Sequence, residues 1–304
     1  MLTIFSTAKP FSGLFGTIQR NAIESWVRLG PDVQVILFGD EEGSAAACRA
    51  AGALHVPDIP CNEYGTPLLS AMFQVAEDLA TNDVMSFVNA DIILTKDSLG
   101  AVDAVRRQFE RYLVVARRRD IDVEELLNFN DGWDESLVSF ARSSGELKSE
   151  IWIDWFAYPR GLFGELPPFA IGRTGHDNWL IWRAADRGGE VVDATAVATI
   201  VHQRHDFSHA GGRRAVFEGV EARRQRELAG SWRHCHTISH ARWLLDDRWH
   251  VVPARGWNYR LARPRRTASH LLRFTRPLRR RLEGERGTTQ RERHPYHAAT
   301  AADG

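Results

Sequence analysis

What most constrains this 304-residue chain is a series of short apolar runs separated by stretches of helical period. "LTIFS" (2–6), "VQVILFGD" (33–40), "LHV" (54–56) and "VMSFVNADIIL" (84–94) have the length and β-branched content of buried strands. Between the first two, Ile18, Ala22, Ile23, Trp26 and Leu29 recur near helical spacing until Gly30 and Pro31 stop the helix. An alanine-rich segment closed by Gly52 predicts a second, shorter helix. In the third, Thr66 is expected to cap, Pro67 to occupy the first turn, and Leu69, Met72, Phe73, Ala76 and Leu79 to form the inner stripe. Strands alternating with helices at these lengths predict an α/β fold: a Rossmann-like, mainly parallel sheet with helices on both faces.

The second half is less regular. "YLVVARRR" (112–119) is expected as a strand, and "EIWIDWFAYPRGLF" (150–163) as a half-buried antiparallel element of a smaller portion. "GHDNWLIWRAADRGGE" (175–190) predicts a helix with Asp177 at its cap and Gly188 at its end. "AVATIVHQRHDFSH" (196–209) predicts a last core strand running into a histidine-rich loop. Two units result: a catalytic-sized domain over 1–262 and an arginine-rich tail over 263–304, in which "HLLRFTRPLRRRL" could form an amphipathic surface helix or the whole could stay disordered.

Charge bears on partners because it is unevenly placed. The chain is neutral overall, but from Arg263 onward eleven arginines face only Glu283, Glu285, Glu292 and Asp303, so an acidic body carries a basic tail. Such a tail suits anionic lipid. It lacks the interleaved aromatics and folded scaffold of specific nucleic-acid recognition. Cys48, Cys61 and Cys235 are far apart, which argues against a zinc site or a disulfide framework and favours a reducing cytosol. No apolar run approaches a membrane span, and the N-terminus does not have the pattern of a signal peptide, so the expected location is cytoplasmic, with the tail reaching the inner membrane face.

In open α/β sheets ligands bind beyond the carboxyl ends of the strands, which directs attention to Ser6–Pro10, Gly39–Glu42 and Asn89–Asp91. "FVNADIIL" (87–94) is unusual for a core strand, because an ionised Asp91 buried without a partner costs several kcal/mol. Asp91 lies beyond the strand end, caps the next element, or faces a cleft where a cation or polar ligand satisfies it.

In order along the chain, "FSTAKPF", "FGDEE", "NEYGTPLLSAMF", "FVNADIIL", "IDWFAYPRGLF", "LPPFAIGRTGHDNWLIWRA" and "IVHQ" resemble the GT-A glycosyltransferases, family 2-like, which move a sugar from a nucleotide sugar to an acceptor. The resemblance covers about residues 2–210. It implies a DxD motif holding Mn²⁺ or Mg²⁺ against the donor diphosphate. Here that motif reads Asn89-Ala90-Asp91, so the first carboxylate is absent. By resemblance Asp91 is a metal ligand and His202 of "IVHQ" a second, the imidazole favouring Mn²⁺. Thr7, Lys9, Asp40, Asn89 and Asp154 fall where the donor is held, Lys9 meeting a phosphate and Asp40 the base or ribose. Asp177 is the implied catalytic base of an inverting transfer, with His176, Asn178 and Trp155 on the side of a saccharide or glycolipid acceptor.

Plainer explanations compete. Asp177 could be an N-cap, Asp40 a turn residue, Asp154 a strand-edge carboxylate and His202 a loop histidine. Of Trp152, Trp155, Trp179 and Trp182, one is expected to line the cleft and the others to be core. His205 and His209 receive no role. A nucleotidylyltransferase or a nicotinamide dehydrogenase would need a glycine-rich loop after the first strand, and "FSTAKPF" is not one. A non-catalytic nucleotide-sugar or glycan binder of the same fold is the alternative that the missing carboxylate leaves open.

Overall fold

The computed structural model describes residues 2–206 and 213–255. The tail of 263–304, its expected surface helix and His209 lie outside the described residues. In chain order the first half comprises β1 (Leu2–Thr7), α1 (Gly13–Val27), β2 (Val33–Phe38), α2 (Ser44–Ala51), β3 (Leu54–Val56), α3 (Leu69–Leu79), β4 (Val84–Val88), β5 (Ile92–Ile93), α4 (Lys96–Arg106), β6 (Tyr112–Val115) and β7 (Arg118–Ile121). The rest comprises α5 (Trp133–Ser144), β8 (Glu146–Leu147), β9 (Trp155–Pro159), α6 (His176–Asp186), β10 (Glu190–Asp193), β11 (Ile200–Gln203), α7 (Arg213–Glu218), α8 (Val220–Ala229), β12 (Trp243–Leu245) and β13 (Val251–Pro253).

The strands form a nine-stranded sheet ordered β13-β12-β10-β6-β9-β4-β1-β2-β3 and a four-stranded sheet ordered β5-β11-β7-β8. The large sheet is mainly parallel, with β9 antiparallel to both neighbours and β13 antiparallel at the edge. The period of two along each strand sends alternate side chains to opposite cores. Ile4, Val35, Leu37, Val88 and Trp155 pack on one face with Trp26 of α1 and Val105 of α4. Phe5, Ile36, Phe38, Phe87 and Phe156 pack on the other with Met72 of α3 and Leu180 of α6. Helices cover both faces, as the alternation predicted.

Two segments expected as single strands are each two strands in different sheets. "VMSFVNADIIL" leaves the large sheet after Val88, turns through Asn89-Ala90-Asp91, and enters the small sheet at Ile92. "YLVVARRR" does the same between Val115 and Arg118. Both halves of each segment are largely buried, and what breaks the strand is the change of sheet.

Other expectations need correction. β9 is buried along most of its length rather than half-buried, because its alternate side chains enter the cores on both faces of the sheet. The last core strand is only Ile200–Gln203. α3 starts at Leu69, and Thr66 and Pro67 precede it. The backbone there is committed elsewhere, since Leu68 N–H donates to the Pro60 carbonyl at 2.9 Å and Leu69 N–H to that of Phe169 at 2.8 Å. Leu79 closes the helix 40% exposed, outside the buried stripe. α6 is capped by Gly175 at φ +103°, which places Asp177 inside the first turn rather than at the cap. Among the described residues no helix is long and apolar enough to cross a membrane.

Candidate active site

The two sheet switches open a cleft of about 620 Å³ at one edge of the large sheet. Thr7 ends β1 there, and Val88 of β4 pairs with Trp155 of β9, so the residues just beyond them, Asn89 and Asp154, share that edge. Their backbones are tied by Asn89 N–H donating to the Asp154 carbonyl at 3.1 Å. The small sheet forms the opposite wall. In its register His202 of β11 stands beside Asp120 of β7 on one side and Ile92 of β5 on the other. Asp91, immediately before Ile92, therefore lies next to His202 by construction.

Asp91 is the centre of the charge arrangement. Its Oδ2 is 2.9 Å from His205 Nε2 and 3.9 Å from His202 Nε2, and the carboxylate lines the cleft with its side chain 15% exposed. Burial opposes its ionisation, but the hydrogen bond from His205 and the charges of His202 and Lys9 outweigh that and hold its pKa well below the usual carboxylate range. Its Oδ1 is buried with no hydrogen-bond partner. Both rings also meet acceptors on both sides. His205 Nδ1 contacts the Asp206 carbonyl at 2.6 Å while its Nε2 faces Asp91, and His202 Nδ1 lies 3.1 Å from Asp120 Oδ1. A neutral imidazole has one N–H to give, so the second nitrogen of each suits a cation beside Asp91. The ligand atoms of Asp91, His202 and His205 lie within 4.8 Å of one another. One carboxylate oxygen and two imidazole nitrogens suit Mn²⁺ better than Mg²⁺, which prefers an all-oxygen shell.

The donor-side expectations divide. Thr7 lines the cleft, though its hydroxyl donates to the Phe38 carbonyl at 3.0 Å and so joins β1 to β2. Lys9 lines it too, with Nζ 4.4 Å from the Phe15 ring centroid, and burial lowers its pKa against the pull of Asp91. Asn89 Nδ2 donates to Asp154 Oδ1 at 2.6 Å, and Arg118 Nη1 donates to Asp154 Oδ2 at 2.9 Å. Asp154 is thus a held carboxylate. Burial is the main cause that raises its pKa; Arg118 opposes, while Asp177 and Asp91 add repulsion. Asp40 is exposed and does not line the cleft; the carboxylate that does so beyond β2 is Glu41.

On the other side, Asp177 and His176 line the cleft from the start of α6, His176 Nε2 standing 2.9 Å from Asp177 Oδ1. Burial pulls the His176 pKa down, but Asp177 and the Arg173 carbonyl prevail and leave it raised. Asn178 is buried and faces away, its amide donating to the His236 carbonyl at 2.9 Å; one residue later on a helix is a different face. Trp155 is completely buried in the core of the large sheet and cannot meet an acceptor. Trp152 lines the cleft in its place, 4.7 Å from the Arg118 guanidinium.

His205, Arg118 and Asp120 were not anticipated. "RRDI" carries the signal for two of them, because alternation puts Arg118 and Asp120 on one strand face and Ile121 among Leu137 and Ala141 on the other.

No protein-family model and no curated protein matches the chain. Among solved structures it is similar to glucosyl-3-phosphoglycerate synthase from Mycobacterium tuberculosis in complex with phosphoglyceric acid, at 15% identity and TM-score 0.48 over 77% of this chain and 80% of that one. It is also similar to S. aureus TarS, at 11% identity and TM-score 0.45 over 66% and 60%. The mannosyltransferase PcManGT from Pyrobaculum calidifontis, in complex with GDP-Man and Mn²⁺, aligns at 14% identity and TM-score 0.45 over 69% of this chain and 59% of its own.

Proposed function

We propose that this chain is a glycosyltransferase that moves a sugar from a nucleotide-diphosphate donor to a hydroxyl of a saccharide or glycolipid acceptor, with inversion. The observation that carries the reading is the meeting of Asp91, His202 and His205 in a cleft at the strand ends, with Asp91 Oδ1 unpartnered. These three residues would hold the divalent cation. Bound there, it would neutralise the negative charge that builds on a departing diphosphate.

The protein's own groups account for the rest. Lys9 supplies a further positive charge to the phosphates, and Glu41 rather than Asp40 meets the nucleoside. Asn89 and Asp154 face the donor sugar, and Asp154 is held still by Arg118. Asp177 takes the acceptor hydroxyl's proton as that oxygen bonds to the anomeric carbon and the bond to the diphosphate breaks. The cap explanation for Asp177 is weakened, since Gly175 holds that position. His176 orients the Asp177 carboxylate and, when protonated, restrains its basicity. The arginine-rich tail supports work on a glycolipid or polysaccharide at an anionic, cytosol-facing membrane surface.

The test combines a thermal-shift screen of nucleotide sugars with assays of nucleotide release. A donor that binds the native state raises the melting temperature by mass action, and the shift should require Mn²⁺. Asp91→Asn should lose the Mn²⁺-dependent shift. Asp177→Asn should keep it while release falls by about 10²–10⁴-fold, the usual worth of a general base. Donor binding without turnover in the wild type would instead establish a non-catalytic binder.

A further inference from the structure

We propose that Asp120, clamped by Arg118, is a positioning residue that fixes the ring of His202 for cation binding; the inference rests on the cation site described above. Parallel pairing of β7 with β11 sets Asp120 beside His202, and the two-residue period puts Arg118 on the same face as Asp120. Asp120 Oδ1 is 3.0 Å from Arg118 Nε and 3.1 Å from His202 Nδ1, contacts of charge rather than aligned hydrogen bonds. All three side chains are buried.

The arrangement does something that a simple ion pair would not. Arg118 alone would satisfy the Asp120 charge, yet the same oxygen is shared with an imidazole nitrogen. The negative charge beside Nδ1 favours the ring's single proton at that nitrogen and leaves the Nε2 lone pair pointing toward Asp91, the tautomer and orientation that ligation requires. Asp120 can do this only if it does not swing. Its partner Arg118 is held at the other end by Asp154 at 2.9 Å and lies against the Trp152 ring. The guanidinium therefore joins the wall that holds the cation to the carboxylate that Asn89 contacts, so that one residue sets the geometry of both.

The experiment uses the full chain with Mn²⁺ as the only ligand, comparing wild type, Asp120→Asn and Asp120→Ala. Binding is followed by the electron paramagnetic resonance of free Mn²⁺, and the His202 tautomer by ¹⁵N NMR of metal-free protein at mildly alkaline pH. The wild type should show the Nδ1–H form. Asp120→Ala should lose that preference and bind Mn²⁺ about 10–100-fold more weakly. Asp120→Asn, which keeps an oxygen beside Nδ1 without its charge, should fall between them. Wild-type affinity and tautomer in both variants, whatever their melting temperatures, would overturn the proposal. Should Asp120→Ala fail to fold, the tautomer and affinity of Asp120→Asn carry the test in the same sense. A wild type that binds no Mn²⁺ defeats the cation site itself, and the metal-free tautomer then shows separately whether Asp120 governs the ring.

Discussion

At the residue scale, the His176–Asp177 pair links protonation to both stability and turnover. A histidine whose folded pKa is raised contributes stability that is fully present below the unfolded value, near the ordinary histidine range, and is lost as pH rises through the folded value. Urea unfolding across that window should show wild type losing stability with rising pH relative to His176→Gln. Nucleotide release, by contrast, should increase over the same window in the wild type, because deprotonation of His176 frees the Asp177 carboxylate to act as a base. A flat stability difference across the range would show that the pair does not govern either property. The thiols give a simpler check. Burial raises both Cys48 and Cys235 to about 11, so near neutral pH they carry little thiolate, whereas Cys61 is exposed. Thiol-specific labelling of the native protein should therefore modify Cys61 first, the half-buried Cys235 more slowly, and Cys48 only on unfolding.

Which site residues were legible follows from the same considerations. Asp91 stood out because a carboxylate within an apolar run demands a partner, and His202 was named only through the resemblance of "IVHQ". His205 looked like one of several loop histidines; only the antiparallel pairing of β5 with β11 brings it back to Asp91. Trp155 and Asn178 show the opposite failure. Each adjoins a cleft residue in sequence, but one step along a strand or helix turns a side chain to another face.

At the scale of elements, the alternation of strands and helices through Val88 could be read from apolar period, while the breaks inside strands and most of the later elements could not. Nothing in "VMSFVNADIIL" or "YLVVARRR" shows that the chain changes sheets, since the switch depends on partners distant in sequence. The site owes its existence to those switches, which leave Asn89 at the end of the large sheet and bring Asp91, Arg118 and Asp120 to the wall formed by the small sheet. Gly175 is the clearest local determinant. At φ +103° it starts α6 in a conformation that a side chain disfavours by roughly 1–3 kcal/mol, and no atom stands within 4 Å of an added Cβ, so strain rather than collision is the cost. Gly175→Ala should lower stability by about that amount, measured by urea unfolding. It should also reduce nucleotide release by shifting His176 and Asp177, while leaving Mn²⁺ affinity unchanged, because the cation ligands lie on the far wall. Equal loss of Mn²⁺ binding would mean that the two walls are not independent.

For the whole molecule, the segregation of charge is the property most open to test. The body bears an excess of acidic groups and the residues from Arg263 onward an excess of arginine, so the two ends of the chain respond oppositely to an anionic surface. Basic residues near such a surface contribute about 1 kcal/mol each and lose that contribution beyond a Debye length, so the tail suffices for attachment that salt reverses. An acidic body would be repelled, which leaves the tail as the attaching part and the cleft free to receive an acceptor. Sedimentation with phosphatidylserine-containing vesicles should pellet the full chain at low ionic strength and release it as salt is added. A chain ending at Ala262 should stay in the supernatant under both conditions, and vesicles of neutral lipid should pellet neither. Equal pelleting of the two chains would remove the tail from any role in attachment and leave the proposed glycolipid acceptor without its support from charge.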